Sequence, residues 1–311
     1  MKNKEKNFVS AIIYVHNKEN RIERFLKTIV SVLEDNFENS EIICVNDNSN
    51  DESIQKIKAV SAQAKSTSIS VLNMSYFHGL EMSMNAGMDL AIGDFVFEFD
   101  STTMDYDVEE IMKIYRRSLE GYDIVSASPN KKKKISSSIF YFVFDKFTDL
   151  SYKMTTESFR ILSRRVINRI SSMNKTVPYR KAIYANCGLK TDSIIYEVKK
   201  TDSTADKKEH KYRRGLATDS LILFTDVGYR FSTLMTFFMM LMTVFMVIYS
   251  LVIYCTGTPV EGWTTTILFL SVAFFGLFAI LTIVIKYLQL LIELVFKRKR
   301  YSFESIEKLT K

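Results

Sequence analysis

The chain has 311 residues, 47% of them hydrophobic and 25% charged, with a formal net charge of +7. That charge gathers at residues 131–134, 207–214 and 297–300, which argues against a uniform nucleic-acid-binding surface, and no nucleic-acid partner is expected. Three widely spaced cysteines, Cys44, Cys187 and Cys255, exclude a disulfide framework and a zinc site and fit a reducing compartment.

From the N-terminus, the charged residues 1–7 precede an apolar run too short for a signal peptide. Residues 8–15 then read as a strand, 21–33 as an amphipathic helix, 41–45 as a second strand and 51–64 as a second helix. A third strand is expected at 69–72, a third helix at 79–92 and a fourth strand at 94–99. This alternation predicts an α/β fold with a mostly parallel sheet and helices on both faces. Ligands of such sheets sit beyond the carboxyl ends of the strands. Polar clusters fall there: His16 to Glu19 after the first strand, Asn46 to Ser49 after the second, and Asp100 to Thr102 after the fourth. Asn, Asp and Ser also favour turns for local reasons, so the signal lies in their coincidence at one edge.

Residues 231–254 and 264–285 contain no charged side chain, and about 20 apolar residues span the hydrocarbon core of a bilayer. The turn between them holds Gly257, Pro259 and Gly262 and a single charge, Glu261. The pair is therefore expected to form a transmembrane hairpin, with a buried hairpin of a soluble core as the alternative. Arg213, Arg214 and Arg230 precede it and Lys297, Arg298, Lys299 and Arg300 follow it, whereas the turn has no Lys or Arg. The positive-inside rule then places both termini in the cytoplasm, and basic clusters flanking the helices suit anionic lipid. The expected division is an α/β domain at 1–206, a juxtamembrane segment at 207–230, two membrane helices within 231–296, the second extending as far as 296, and a basic tail at 297–311.

Residues 9–19, ending Tyr14-Val15-His16-Asn17-Lys18-Glu19, resemble the opening strand and "VYNEE" turn of family 2 glycosyltransferases, which have a GT-A nucleotide-sugar-binding fold (Rossmann-like). Residues 43–51 resemble that family's "VDDGSxD" segment, with Asn46 and Asp47 at its two leading acids. Residues 85–94 are similar to its "NxGxxxAxGD" helix, through Asn85, Gly87, Ala91, Gly93 and Asp94. Further on, Ser158-Phe159-Arg160-Ile161-Leu162-Ser163-Arg164 resembles "DFRLLSR" and Glu209-His210-Lys211-Tyr212 resembles "ESKY" of the polyprenyl-phosphate glycosyltransferases, which are similar to dolichol-phosphate mannose synthases. Processive polysaccharide synthases carry "QxxRW", whereas the single Trp here, Trp263, lies in the hairpin turn.

The resemblance implies an Asp-x-Asp metal motif followed by Leu-Gln, holding Mg²⁺ or Mn²⁺ against the donor diphosphate. The chain instead reads Asp100-Ser101-Thr102-Thr103-Met104, leaving Asp100 as the one carboxylate of the motif, and Ser158 replaces the Asp of "DFR". Asp105 and Asp107 either complete the ligand set or are solvated turn residues.

What the resemblance implies about function is a membrane-anchored, inverting glycosyltransferase of the cytoplasmic membrane of a bacterium. It would move a sugar, most simply from a UDP-sugar, to undecaprenyl or another polyprenyl phosphate for cell-envelope glycan modification. Val15, Asn17, Glu19, Asp47 and Asp100 would bind the donor, with Arg160 and Asp100 in catalytic roles. Lys131, Lys132, Lys133, Lys134, Arg164 and Lys211 would meet the acceptor phosphate. Partners are then a nucleotide-sugar, the lipid and the membrane, with a homo-oligomer allowed. The competing reading is a catalytically degenerate relative that serves as a binding partner or scaffold in glycan assembly.

Overall fold

The computed structural model describes residues 4–130, 157–172, 180–199, 227–257, 262–295 and 301–310. The first part runs β1 (Val9–Val15), α1 (Glu19–Asn36), β2 (Ser40–Asn46), α2 (Ser53–Ser61), β3 (Thr67–Met74), α3 (Leu80–Leu90) and β4 (Phe95–Phe99). It continues with α4 (Glu109–Leu119), β5 (Ile124–Pro129), β6 (Phe159–Ser163), α5 (Arg164–Ser172), α6 (Arg180–Asn186) and β7 (Thr191–Tyr196). After two long helices, α7 (Val227–Thr256) and α8 (Trp263–Val295), comes a last strand, β8 (Phe303–Lys308).

One eight-stranded sheet has the order β7-β5-β6-β4-β1-β2-β3-β8. Its β1, β2, β3 and β4 are mutually parallel, whereas β6 runs antiparallel to β4 and β5, and β8 antiparallel to β3. The strand order reverses at β1, with β2 on one side and β4 on the other. Loops leaving β1 and β4 at their carboxyl ends therefore part in opposite directions and open a crevice.

The core strands are buried on both faces, which is why β1 reads as a nearly unbroken apolar run. One face packs Ile22, Phe25, Leu26, Ile29 and Leu33 of α1, a spacing of three and four residues that makes one helical stripe. Each such side chain contributes about 1.5–3 kcal/mol when fully buried. On the other face Met84, Ala86 and Met88 of α3 and Val166 and Ile167 of α5 cover Ile12, Ile43, Val45 and Leu162. Two glycines of the α3 motif allow close approach. A Cβ on Gly87 would lie 2.6 Å from Ile12 Cγ2 and 2.7 Å from Val45 Cγ2, and one on Gly93 would lie 2.6 Å from the Ser10 nitrogen and 2.9 Å from the Phe95 carbonyl oxygen.

The C-terminal segment, expected as a basic tail, instead supplies an edge strand. β8 pairs with β3 from Ser70↔Lys308 to Met74↔Phe303, and Ile69 donates its N–H to Thr310 Oγ1 at 2.7 Å. Pairing satisfies backbone groups that the β3 edge would otherwise leave open, a gain that hydrophobic patterning over so short and polar a run does not reveal. Residues 218–297 form a separate compact unit. In it α7 and α8 pack together and are long and apolar enough to cross a membrane over Thr233–Thr256 and Trp263–Leu288. Phe237, Phe245 and Ile248 of α7 and Phe269, Val272 and Ile280 of α8 are exposed, the opposite of a hairpin sunk in a soluble core.

Candidate active site

At the carboxyl edge, Asp47 follows β2 and is 0% exposed. Its Oδ1 accepts the His78 N–H at 2.7 Å, and its Oδ2 accepts the Gly79 N–H at 2.8 Å and the Tyr14 hydroxyl at 2.9 Å. The Asp47 N–H donates to the Val15 carbonyl at 2.9 Å, and His16 Nδ1 donates to the Asp47 carbonyl at 2.7 Å. One buried carboxylate thus ties together the ends of β1 and β2 and the β3–α3 loop. Gly79 has φ 82°, a conformation that glycine adopts without steric cost. Around this brace, Asn17 accepts the Asn50 N–H through Oδ1 at 2.8 Å, and Glu19 accepts the Glu52 N–H through Oε2 at 3.1 Å. The rim carries aromatic rings: Phe77 lies 4.7 Å from His16, centroid to centroid, and Tyr76 stacks on His78 at 4.0 Å. Tyr76 is 58% and Phe77 44% exposed.

Beyond β4 lies a closed ion-pair box. Arg160 of β6 donates from Nη1 to Glu98 Oε2 at 2.7 Å, from Nη2 to Asp100 Oδ2 at 2.9 Å, and from Nε to Glu157 Oε2 at 3.0 Å. Arg180 of α6 donates from Nη1 to Glu98 Oε1 and from Nη2 to Asp100 Oδ1, both at 2.6 Å, and from Nε to Glu81 Oε2 at 3.0 Å. Tyr184 adds its hydroxyl to Glu98 Oε1 at 2.8 Å. Burial alone would lower the pKa of both guanidiniums, but Asp100 and the neighbouring glutamates outweigh it and hold them above the usual arginine range. Burial of a Glu98 carboxylate within an apolar strand requires such partners, because an unpaired interior charge is strongly unfavourable.

A family profile described as Glycosyl transferase family 2 matches residues 10–171, more than half of the chain and a span that includes the ends of β1, β2 and β4. The chain belongs to glycosyl transferase family 2. It is 27% identical over 195 residues to an uncharacterized glycosyltransferase of Synechocystis sp., covering 61% of this chain and 60% of that protein. It is 29% identical over 196 residues to a prophage bactoprenol glucosyl transferase homolog of Escherichia coli, covering 60% and 62% respectively. The chain thus spans less than two thirds of the length of either relative. Among solved structures, glucosyl-3-phosphoglycerate synthase of Mycobacterium tuberculosis shares the fold at a TM-score of 0.50 and 12% identity, over 69% of this chain and 80% of that one.

The divalent cation implied by the family pattern can be tested against these residues, and they do not fit it. Both oxygens of Asp100 accept guanidinium protons. Thr102 is buried, and its neutral Oγ1 has no hydrogen-bond partner. Asp105 Oδ1 accepts the Tyr196 hydroxyl at 2.8 Å, and Asp107 Oδ1 pairs with Lys199 at 2.6 Å. Among the described residues no group of three or more His, Cys, Asp or Glu side chains is disposed to hold a metal ion.

Three expectations change with the geometry. Asp47, expected to contact the donor, is fully buried, and its carboxylate is taken up by His78, Gly79 and Tyr14. Arg164, expected at the acceptor phosphate, donates from Nε to the Gly93 carbonyl and from Nη2 to the Ala91 carbonyl, both at 2.9 Å. Because β6 is antiparallel to β4 and pairs Ser163 with Phe95, it carries Arg164 to the opposite edge of the sheet. At about 3.3 Å per residue that is roughly 20 Å from Asp100. Arg160 is 0% exposed and positions Asp100 and Glu98 rather than presenting an open fork to a ligand. Lys131, Lys132, Lys133, Lys134 and Lys211 lie outside the described residues. The site members that sequence reading missed are Arg180, Glu81, Glu157 and Tyr184. A usable signal was Glu98, a charge inside the apolar run Phe-Val-Phe-Glu-Phe, which demands a buried cation from elsewhere in the chain.

Proposed function

We propose that the protein is a membrane-anchored inverting glycosyltransferase that moves a sugar from a nucleotide-sugar, in the first instance a UDP-sugar, to a polyprenyl phosphate at the cytoplasmic face of a bacterial membrane. One observation carries the reading: a family 2 sheet edge and a helical pair apolar enough to span a bilayer occur in the same chain. The similarity to a bactoprenol glucosyl transferase homolog supports a polyprenyl phosphate acceptor. The return of β8 to the sheet that begins with β1 supports a hairpin with both ends on one side, because strands do not pair across a bilayer. The absence of Lys and Arg from the turn, against the basic residues at the other ends of the two helices, supports a cytoplasmic placement of that side.

In the reaction, an oxygen of the lipid phosphate bonds to the anomeric carbon while the bond from that carbon to the donor diphosphate breaks. The electron pair leaves on the nucleoside diphosphate, and the anomeric configuration inverts. A phosphate monoester has a second pKa of about 6 and is largely ionised near neutral pH, so no strong general base is required. The protein's task is alignment and a fixed electrostatic environment for the leaving group. The crevice between β1 and β4 provides the place. Val15, Asn17 and Glu19, with the Asp47-braced loop and its Phe77 ring, frame the nucleoside, and Asp100 marks the β4 wall, held in position by Arg160 and Arg180.

Full-length protein in lipid nanodiscs, titrated calorimetrically with UDP, GDP and CMP, tests the donor half of this reading. Saturable UDP binding that weakens in Asn17→Ala is expected. No binding of any of the three nucleotides contradicts it.

A further inference from the structure

The two carboxylates at the end of β4 have four oxygens, and every one accepts a proton from Arg160 or Arg180 at 2.6–2.9 Å. We propose that Asp100 acts as the counter-ion of this arginine pair and not as a divalent-metal ligand, so that the donor binds at this edge without Mg²⁺ or Mn²⁺. The inference rests on the nucleotide-sugar reading above and deepens it.

The arginines cannot simply step aside for an incoming cation. Each is anchored on its far side as well, Arg160 by Glu157 and Arg180 by Glu81, at 3.0 Å in both cases. Both are about 1% exposed at the side chain, and Glu98 between them is 0% exposed. Moving either guanidinium would leave Glu98 buried with one of its two balancing cations gone, the arrangement that proteins tolerate least. A dication beside Asp100 would also sit next to two guanidiniums that stay charged at any physiological pH. Mg²⁺ demands near-octahedral oxygen coordination. The nearby groups are a neutral hydroxyl at Thr102, a soft thioether at Met104, and carboxylates at Asp105 and Asp107 already bonded to Tyr196 and Lys199. The charges of the cluster come from Glu81, Glu98, Asp100 and Glu157 against Arg160, Arg180 and Lys181, the last 3.9 Å from Glu157. Two fixed cations thus stand where the family pattern expects a mobile one.

The test uses full-length protein in nanodiscs. Free Mn²⁺ is followed by electron paramagnetic resonance during titration of the parent and of Asp100→Asn, with and without UDP. UDP affinity is measured by calorimetry in EDTA, in Mg²⁺ and in Mn²⁺. The expected result is Mn²⁺ uptake that does not differ between parent and variant, and one UDP affinity in all three buffers. A stoichiometric Mn²⁺ site in the parent that vanishes in Asp100→Asn overturns the proposal. So does a metal-specific gain in UDP affinity of about tenfold or more, equivalent to roughly 1.4 kcal/mol. If Asp100→Asn fails to fold, the parent decides alone: Mn²⁺ bound one-to-one, or a melting temperature raised by Mn²⁺ in the presence of UDP, counts against the proposal, and neither effect counts for it. Should the parent bind no nucleotide in any buffer, the donor reading falls while the Mn²⁺ titration still decides the role of Asp100.

Discussion

Arg180 Nη2 lies 2.6 Å from Asp100 Oδ1, joining the start of α6 to the end of β4 across 80 residues of sequence. The pair gives the protein a definite acid response. Burial by itself would raise the Asp100 pKa, but Arg180, then Arg160 and Lys181, outweigh it and hold the carboxyl well below the usual carboxylate range. A depressed folded-state pKa contributes stability that is complete above the unfolded Asp value of about 3.9 and is lost as pH falls below it toward the folded value. Thermal unfolding followed from pH 7 to pH 2.5 should show this loss beginning near pH 4. Asp100→Asn should melt lower than the parent at pH 7 and show a shallower acid decline. Parallel acid limbs for the two proteins would remove the pair from the account.

Gly93→Ala should destabilise the domain more than Gly87→Ala. At Gly93 the added Cβ meets backbone atoms of Ser10 and Phe95, whereas at Gly87 it meets only the side-chain methyls of Ile12 and Val45. Methyl groups can shift and backbone cannot, so a cost at the upper end of the usual overpacking range of about 1–3 kcal/mol is expected at Gly93. Differential scanning calorimetry of both variants checks the order. The reverse order would contradict the close-approach argument.

The strand β8 holds the loop that Asp47 braces. Ser302 donates its N–H to His78 Nε2 at 3.2 Å, Ser75 donates its N–H to the Ser302 carbonyl at 3.3 Å, and Asn73 Nδ2 donates to Ser305 Oγ at 3.0 Å. Removing residues 301–311 should therefore speed hydrogen exchange at Ser75 to Gly79 and along β3, while leaving β1 and β4 protected. Unchanged exchange in the β3–α3 loop would show that β8 covers the edge without supporting the site.

The cysteines report on topology. Cys44 and Cys187 are buried and Cys255, near the end of α7, is exposed, and burial pushes the Cys44 thiol up to about 12, which makes it a poor nucleophile. A membrane-impermeant maleimide added to intact cells should label the parent, should fail on Cys255→Ser, and should not label Cys255→Ser carrying Lys18→Cys until the cells are opened. Labelling at Lys18→Cys from outside would reverse the orientation proposed here.

Much of the fold was legible because parallel strands buried on both faces leave apolar runs, and β1 to β4 with their helices fall where periodicity placed them. The direction of β6 was not legible. Five residues from Phe159 to Ser163 look alike whether they run parallel or antiparallel, and that direction moved Arg164 to the far edge of the sheet. β8 was hidden because a short polar edge strand owes its place to backbone pairing rather than to hydrophobic pattern. Of the site, the polar turns after β1, β2 and β4 were visible as clusters, but which side chain meets which was not. Asp47 lies inward as a brace, and the second arginine of the box comes from α6, joined to Asp100 only by the fold.

Turnover tests the transferase reading most directly. Purified full-length protein in nanodiscs is incubated with undecaprenyl phosphate and each of a panel of radiolabelled UDP-, GDP- and dTDP-sugars, and the organic-extractable label is resolved by thin-layer chromatography. A lipid-linked sugar from one UDP-sugar is expected, its formation dependent on the lipid phosphate and persisting in EDTA. No lipid-linked product from any donor, in EDTA or in Mn²⁺, would contradict the account and leave a family 2 protein that binds without transferring.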